Sequence, residues 1–178
     1  MHADLAQMDA IISQFLDYAK PADRSAFSLI DLSQLLTDTV NEASRLPDIE
    51  IHTDIAPGIE VGGHAVELRR VCNNLIENAR RYGRREGEDI VRIDVACRRE
   101  GNQAVMAIGD HGPGVPAPEL ERLVRPFTRM DSARGQANGA GLGLAIVDRV
   151  VKRHHGKLKL ENRPEGGLLI IIRLDIKT

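Results

Sequence analysis

Several features that mark specialised classes of protein are missing from this sequence. Its only cysteines, Cys72 and Cys97, lie in apolar patterns without metal-ligand spacing, which favours small buried core residues in a reducing compartment. The net charge of -2 gives no electrostatic case for binding nucleic acid or an anionic membrane. No apolar run is long enough to span a membrane, no signal peptide is visible, and no internal repeat or low-complexity tract occurs.

What is present is the composition of a soluble globular protein with an additional helix. The 178 residues, 42% hydrophobic and 28% charged, suffice for one well-cored domain plus an appendage. Residues 3–20 predict a helix because apolar side chains recur at alternating spacings of three and four, at Leu5, Met8, Ile12, Phe15 and Ala19. Pro21 ends it. We interpret residues 1–21 as the remnant of a helical bundle truncated on its N-terminal side, with no partner helix in the chain; a terminal helix docked on the domain is the alternative.

The remaining chain, residues 22–178, alternates between strand and helix patterns. Strands are predicted over residues 27–30, 50–55, 89–98, 104–108, 157–161 and 168–175. Helices are predicted over residues 32–46, 69–83 and from residue 143 to about residue 155. Asp31, with Gln34 three residues later, has the arrangement of a capping box. This order predicts an α+β fold, a two-layer α/β sandwich with a mixed sheet covered on one face by helices.

The predicted helix over residues 69–83 carries two different faces. At about 100° per residue, its apolar side chains form one stripe, at Leu68, Val71, Cys72, Leu75 and Ala79. A second stripe beside it holds Asn74, Asn78, Arg81 and Tyr82. Two amides, a cation and an aromatic ring on the flank of a buried helix predict the lining of a polar ligand site. A solvated helix face that happens to hold two asparagines is the alternative.

Two glycine clusters follow. Asp110 ends a predicted strand and begins Asp-His-Gly-Pro-Gly, where glycines permit close approach of a flat ligand and the carboxylate can accept a hydrogen bond from an exocyclic amine. Taken alone, this motif is more often a simple turn. The second cluster, residues 139–143, opens a helix whose free N–H groups favour phosphate, although a flexible hinge would also use glycines there. It lacks the preceding strand that a Rossmann fingerprint needs. Between the clusters, residues 115–138 show no regular spacing of apolar residues, which indicates a functional lid or a disordered insert.

Taken together, these segments resemble the catalytic ATP-binding domain of bacterial sensor histidine kinases, in the gyrase, Hsp90, kinase and MutL superfamily. Residues 74–82 are similar to its N box, residues 110–114 to its first glycine box, residues 125–127 to its F box and residues 139–144 to its second glycine box. In detail the chain is similar to the osmosensor EnvZ group, through residues 10–18, 79–83 and 131–134. The resemblance implies the Bergerat-type ATP-binding fold, with ATP and Mg²⁺ as cofactors. It also implies that residues 1–21 are the C-terminal end of the dimerisation and histidine-phosphotransfer helix bundle, and that residues 22–178 are the catalytic ATP-binding domain.

The resemblance also implies roles for individual residues. Catalytic roles fall to Asn74, Asn78 and Arg81, of which Asn78 would ligate Mg²⁺, Asn74 would support the metal site, and Arg81 would meet a phosphate. Nucleotide contacts are implied for Asn74, Asn78, Arg81, Tyr82, Asp110, Gly112, Gly114, Phe127, Gly139, Gly141, Leu142, Gly143 and Leu144. ATPase branches of the superfamily are expected to carry a glutamate at position 74 as general base; an amide cannot take a proton. Glu77 is expected to point away from Asn78, toward solvent.

Departures from the family pattern also matter. The phosphoacceptor motif, a histidine followed by an acidic residue and Arg-Thr-Pro, occurs nowhere in the sequence. His2 does not match that motif either, and the other histidines outside the glycine box are expected at the surface or at helix ends, at positions 52, 64, 154 and 155. His111 fills the variable position of its box, and Ala140 replaces a frequent threonine or serine.

The implied function is transfer of the ATP γ-phosphoryl group to a histidine on a dimerisation domain absent from this chain. The implied parent is a homodimeric bacterial inner-membrane sensor whose cytoplasmic part acts on the receiver domain of a response regulator. Two alternatives remain: a superfamily ATPase, and a nucleotide-binding interaction module without catalysis.

Overall fold

The computed structural model describes residues 12, 27–128 and 141–176. The helices are α1 (Leu32–Ala43), α2 (Ala65–Tyr82) and α3 (Gly143–Arg153), and a 3-10 helix covers Ala117–Arg122. The strands are β1 (Ser28–Asp31), β2 (Ile49–Ile55), β3 (Glu60–Gly63), β4 (Val91–Glu100), β5 (Gln103–Asp110), β6 (Lys157–Asn162) and β7 (Leu168–Asp175). The helix predicted over residues 3–20 lies outside the described residues except for Ile12, so the boundary between residues 21 and 22 stays a prediction.

Five strands form the predicted mixed sheet, in the order β2-β4-β5-β7-β6. The β2–β4 pair is parallel and the other pairs are antiparallel. Alternation along β4 decides which face is covered: Val91, Ile93, Val95 and Cys97 are buried, whereas the residues between them are more exposed. The helices cover the buried face, and the predicted two-layer α+β sandwich is confirmed.

The helices close the core over that face. The predicted apolar stripe of α2 is almost fully buried, with Leu68, Val71, Cys72, Leu75 and Ala79 in the main cluster. Both cysteines are free and buried, and burial raises the pKa of Cys72 to about 12 and that of Cys97 to about 11. They are core residues, as predicted. No helix in the described ranges is both apolar enough and long enough to cross a membrane.

Helix α2 begins at Ala65, four residues before its predicted start, and the structure differs from the prediction in four further places. Strand β3 was not predicted; it pairs with β1 in a separate two-stranded sheet. Asp31 caps α1 by accepting from the Gln34 N–H at 2.8 Å, but the Gln34 side chain donates to Asp38, so the reciprocal half of the capping box is not formed. Helix α1 ends at Ala43, before the predicted end. The predicted irregular segment contains the 3-10 helix, while residues 129–140 lie outside the described residues.

Candidate functional site

The second stripe of α2 forms one wall of a pocket between α2, the end of β5 and the start of α3. The space inside amounts to about 830 Å³, part of it open to solvent. Of the residues predicted from the sequence, its lining includes Asn74, Asn78, Arg81, Tyr82, Asp110, Gly114, Gly141, Gly143 and Leu144. The structure thus brings together residues from three separate predicted boxes, and the alternative of a merely solvated helix face does not describe this stripe.

Asp110 is the most deeply buried polar group of the pocket, at 5% exposure. Its Oδ1 accepts from the Gly112 N–H at 2.8 Å and from the Leu168 N–H at 3.2 Å. Burial raises the pKa of the carboxyl group above its ordinary value, and the two backbone N–H groups oppose that shift. Oδ2 takes part in neither hydrogen bond. A carboxylate fixed in this way can accept a hydrogen bond from an amine in the pocket.

Three glycines allow close packing around Asp110, because a side chain at any of them would clash with a neighbouring residue. A Cβ built on Gly83 would lie 2.4 Å from the Cβ of Asp110, and one on Gly112 would lie 2.7 Å from the Cα of Gly83. Gly167 has a φ of +104°, and its Cβ would lie 2.0 Å from the carbonyl oxygen of Asp110. Side chains at these positions are therefore excluded by contact, and the first glycine box packs directly on the C-terminal end of α2.

The opposite end of the pocket is the N-terminus of α3. Gly141 has a φ of +68°, which favours glycine, and Leu142 at the N-cap position makes no side-chain cap. The Nδ2 of Asn74 donates to the Arg70 carbonyl oxygen at 2.9 Å. A Cβ on Gly143 would lie 3.2 Å from the Asn74 Oδ1, so this amide oxygen faces the first turn of α3. Backbone N–H groups and the helix dipole make this end suited to phosphate.

Glu77 was expected to point toward solvent, and the structure corrects this expectation. Its side chain is 40% exposed, yet it lines the pocket beside Asn78. Its Oε1 lies 2.7 Å from the Nε of Arg81, and its Oε2 lies 3.6 Å from a guanidinium nitrogen of Arg80. The long side chain extends toward the C-terminal end of the helix, to the cations at i+3 and i+4, and the 100° angle between neighbouring residues does not reveal this.

Some predicted nucleotide contacts lie elsewhere in the described part of the chain. Gly112 does not line the pocket but supports Asp110 from behind through the backbone hydrogen bond. Leu142 is fully buried in the core, and Phe127 is 61% exposed outside the pocket lining. Gly139, Ala140 and Arg134 lie outside the described residues. The nucleotide contacts implied for Gly112, Leu142, Phe127 and Gly139 stay predictions, and no role was assigned to Ala140 or Arg134.

The pocket also contains residues that the sequence did not indicate. Besides Glu77, these are Val115, Leu123, Thr128 and Leu168. The Gly166–Gly167 pair before Leu168 was a usable signal, because both residues have positive φ and lead the chain back against Asp110. Leu123 and Thr128 come from a segment without a regular period, so no pattern pointed to them.

The four histidines lie where they were expected, at the surface or at helix ends. His64 and His154 lie at helix ends, as predicted, but His154 is buried rather than at the surface. Its Nδ1 lies 2.8 Å from the Val150 carbonyl oxygen, and its Nε2 accepts from the His64 N–H at 3.1 Å. His111 places its Nε2 2.9 Å from an Asp94 carboxylate oxygen.

The sequence profile of the family described as histidine kinase-, DNA gyrase B-, and HSP90-like ATPase matches residues 63–178. The Sensor protein BasS of Escherichia coli (strain K12) is 35% identical over 171 residues, which cover 92% of this chain and 45% of BasS. The sensor-type histidine kinase PrrB of Mycobacterium tuberculosis (strain ATCC 25618 / H37Rv) is 33% identical over 146 residues, 82% of this chain and 31% of PrrB.

Among solved structures, the NMR structure of the histidine kinase domain of the E. coli osmosensor EnvZ is 36% identical, with a TM-score of 0.64. The match covers 89% of this chain and 94% of that domain. The chain spans less than half the length of BasS and PrrB. The chain belongs to the histidine kinase-, DNA gyrase B-, and HSP90-like ATPase family, as an ATP-binding domain of the sensor histidine kinase type.

Proposed function

We propose that this domain binds Mg-ATP and transfers its γ-phosphoryl group to a histidine of a separate dimerisation domain. The observation that carries the proposal is one pocket with a buried carboxylate at one end, Asp110, and the glycine-led start of α3 at the other. The first end suits the amine of adenine and the second suits phosphate. The stripe with Asn74 and Asn78 connects the two ends.

The residues of the pocket divide the work by their chemistry. Asp110 accepts a hydrogen bond from the adenine amine, and Tyr82 covers the base. The backbone N–H groups at Gly141 and Gly143 hold the phosphate tail, and Arg81 adds a positive charge beside it. The Oδ1 of Asn78 suits Mg²⁺, a hard cation that takes oxygen ligands, and the ion would neutralise charge on the phosphates.

Phosphoryl transfer to a histidine then depends on how the reacting groups are positioned more than on a general base. An imidazole nitrogen of the acceptor histidine attacks the γ-phosphorus, the bond to the bridging oxygen breaks, and ADP leaves. Position 74 holds an amide, which cannot deprotonate a water molecule. The only other carboxylate in the described pocket lining besides Asp110 is that of Glu77, which is engaged with Arg81 and Arg80.

The Glu77 carboxylate is also the basis of the alternative function, which is ATP hydrolysis. A superfamily ATPase needs a general base near the γ-phosphate, and Glu77 is the described residue that could serve as one. Labelled ATP with the purified domain alone distinguishes the two functions: the kinase reading predicts saturable Mg-ATP binding, slow phosphate release and no phosphohistidine. Fast phosphate release that is lost in Glu77→Gln would support the ATPase instead.

The parent protein is proposed from the relatives. We infer that it is a homodimeric inner-membrane sensor kinase of a bacterium, with this domain in the cytoplasm and a response regulator receiver domain as the next phosphoryl acceptor. Sequence similarity to BasS and PrrB supports this inference.

A further inference from the structure

The turn between β6 and β7 touches the first glycine box from a distant part of the sequence. The side-chain amide of Asn162 pairs with the backbone of Val115 on both sides: Nδ2 donates to the Val115 carbonyl oxygen at 2.6 Å, and Oδ1 accepts from the Val115 N–H at 2.9 Å. A Cβ on Gly114 would lie 2.8 Å from the same Oδ1. Asn162 therefore holds the C-terminal end of the box as a neighbouring strand would.

Arg163 holds the other end of the box from the open face of the sheet. One guanidinium nitrogen lies 2.6 Å from an Asp94 carboxylate oxygen and donates to the Asp110 carbonyl oxygen at 3.4 Å. The side chain crosses β5 at Gly109, where a Cβ would lie 3.4 Å from the guanidinium. Glu165 fixes the guanidinium from its other side at 3.0 Å. The Arg163 side chain is 17% exposed, whereas its partners Asp94 and Glu165 are 38% and 55% exposed, so the arginine itself is the shielded member of this group.

A third contact comes from the end of the same turn. The Leu168 N–H donates to the Asp110 Oδ1, and Gly167 lies against the Asp110 carbonyl group. Residues 162–168 thus contact Asp110, which precedes the glycines of the box, Gly114 itself, and Val115, which follows the box. Gly112 and Gly114 give this loop conformational freedom, which external contacts must restrict if the carboxylate is to keep one position.

We propose that Asn162 and Arg163 are positioning residues for base recognition, acting on Asp110 through the backbone of the first glycine box. The inference rests on the proposed function, in which Asp110 accepts from adenine. A hydrogen bond weakens steeply once its angle and length depart from their optimum, so a small displacement of Asp110 reduces the preference for adenine more than it reduces phosphate binding.

Calorimetric titrations of the purified domain with Mg-ATP and with Mg-GTP test the proposal. Asn162→Asp is the main variant because it keeps the size of the side chain but replaces the donor to Val115 with a charged acceptor. Arg163→Ala is the second variant. Each should weaken ATP binding about tenfold and GTP binding by less than about twofold. Melting curves without nucleotide show whether each variant is folded.

Matched controls come from the same sheet. Asn102→Asp changes an exposed asparagine in the β4–β5 turn, and Arg173→Ala removes a β7 arginine that pairs with Glu100 at 2.6 Å on the open face. Both should leave the preference for ATP unchanged. Equal losses for ATP and GTP, or no loss of ATP affinity in folded Asn162→Asp, would overturn the positioning role. A wild-type domain that binds ATP no better than GTP would contradict the proposed role of Asp110 itself.

Discussion

The Glu77 carboxylate holds the Arg81 guanidinium within the pocket, with 2.7 Å between Oε1 and Nε. A phosphate group that contacts Arg81 must therefore share this cation with a carboxylate. The Glu77→Gln variant removes the negative charge while keeping the length of the side chain. Because both groups are partly exposed and the pair is screened by water, we expect a modest gain in ATP affinity, roughly two- to fivefold.

Isothermal titration with ATP and AMP would measure this gain, which should be larger for the nucleotide with more phosphates. Asp48→Asn is the matched control, because Asp48 pairs with Arg80 at 3.1 Å and does not line the pocket. An unchanged or weaker ATP affinity in Glu77→Gln would show that Arg81 does not meet the phosphate.

The Asp110→Asn variant should weaken ATP binding without lowering the stability of the domain. The amide presents a donor to the adenine amine, so ATP affinity should fall by about ten- to a hundredfold, whereas GTP, which offers a carbonyl at that edge, should lose far less. Burial raises the pKa of Asp110, which means that its ionisation costs stability as pH rises through that raised value. The variant should therefore melt at or above the wild-type temperature at neutral pH. Equal losses for both nucleotides would contradict the assignment.

Asn78→Ala should remove most of the part of ATP affinity that depends on Mg²⁺. The side chain lines the pocket on the exposed flank of α2, so its loss should leave the fold intact. Thermal melts with ATP, with and without Mg²⁺, measure the effect as a smaller ligand-induced shift. Asn73→Ala is the control, since Asn73 is exposed on the same helix and outside this pocket. A full Mg-ATP shift in Asn78→Ala would exclude it as a metal ligand.

His154 should make the domain sensitive to mild acid. Its Nε2 accepts from the His64 N–H, and burial lowers its pKa below the ordinary value of 6.5, although Glu67, with an oxygen 4.0 Å from Nδ1, opposes that shift. The unfolded chain then binds a proton more readily, so stability is lost as pH falls through about 6.5 toward the lower folded pKa.

Melting temperatures between about pH 7.5 and about pH 5.5 check this dependence. His154→Gln should melt lower at neutral pH but with a flatter dependence on pH, and His52→Gln, which changes an exposed histidine, should behave like wild type. An unchanged slope in His154→Gln would assign the acid sensitivity to other groups.

The sequence predicted those parts of the site that depend on local periodicity. The 3.6-residue period of α2 was enough to place Asn74 and Asn78 on one flank, and Asp110 was recognisable as the residue that ends a strand before glycines. Contacts that depend on folding were not predictable in this way. Asn162 reaches Val115 across 47 residues, and the position of Glu77 depends on the choice of its side-chain conformation, for which no sequence period exists.

Phosphoryl transfer in trans tests the central claim most directly. The domain is mixed with γ-labelled Mg-ATP and a separately produced histidine-bearing dimerisation domain of the parent kinase, with the acceptor histidine replaced by glutamine as a control. We predict slow, acid-labile label on the intact acceptor only, because separating the two parts removes the proximity that a tether provides. Label on a histidine of this chain itself, or no label on the acceptor although Mg-ATP binds, would contradict the account.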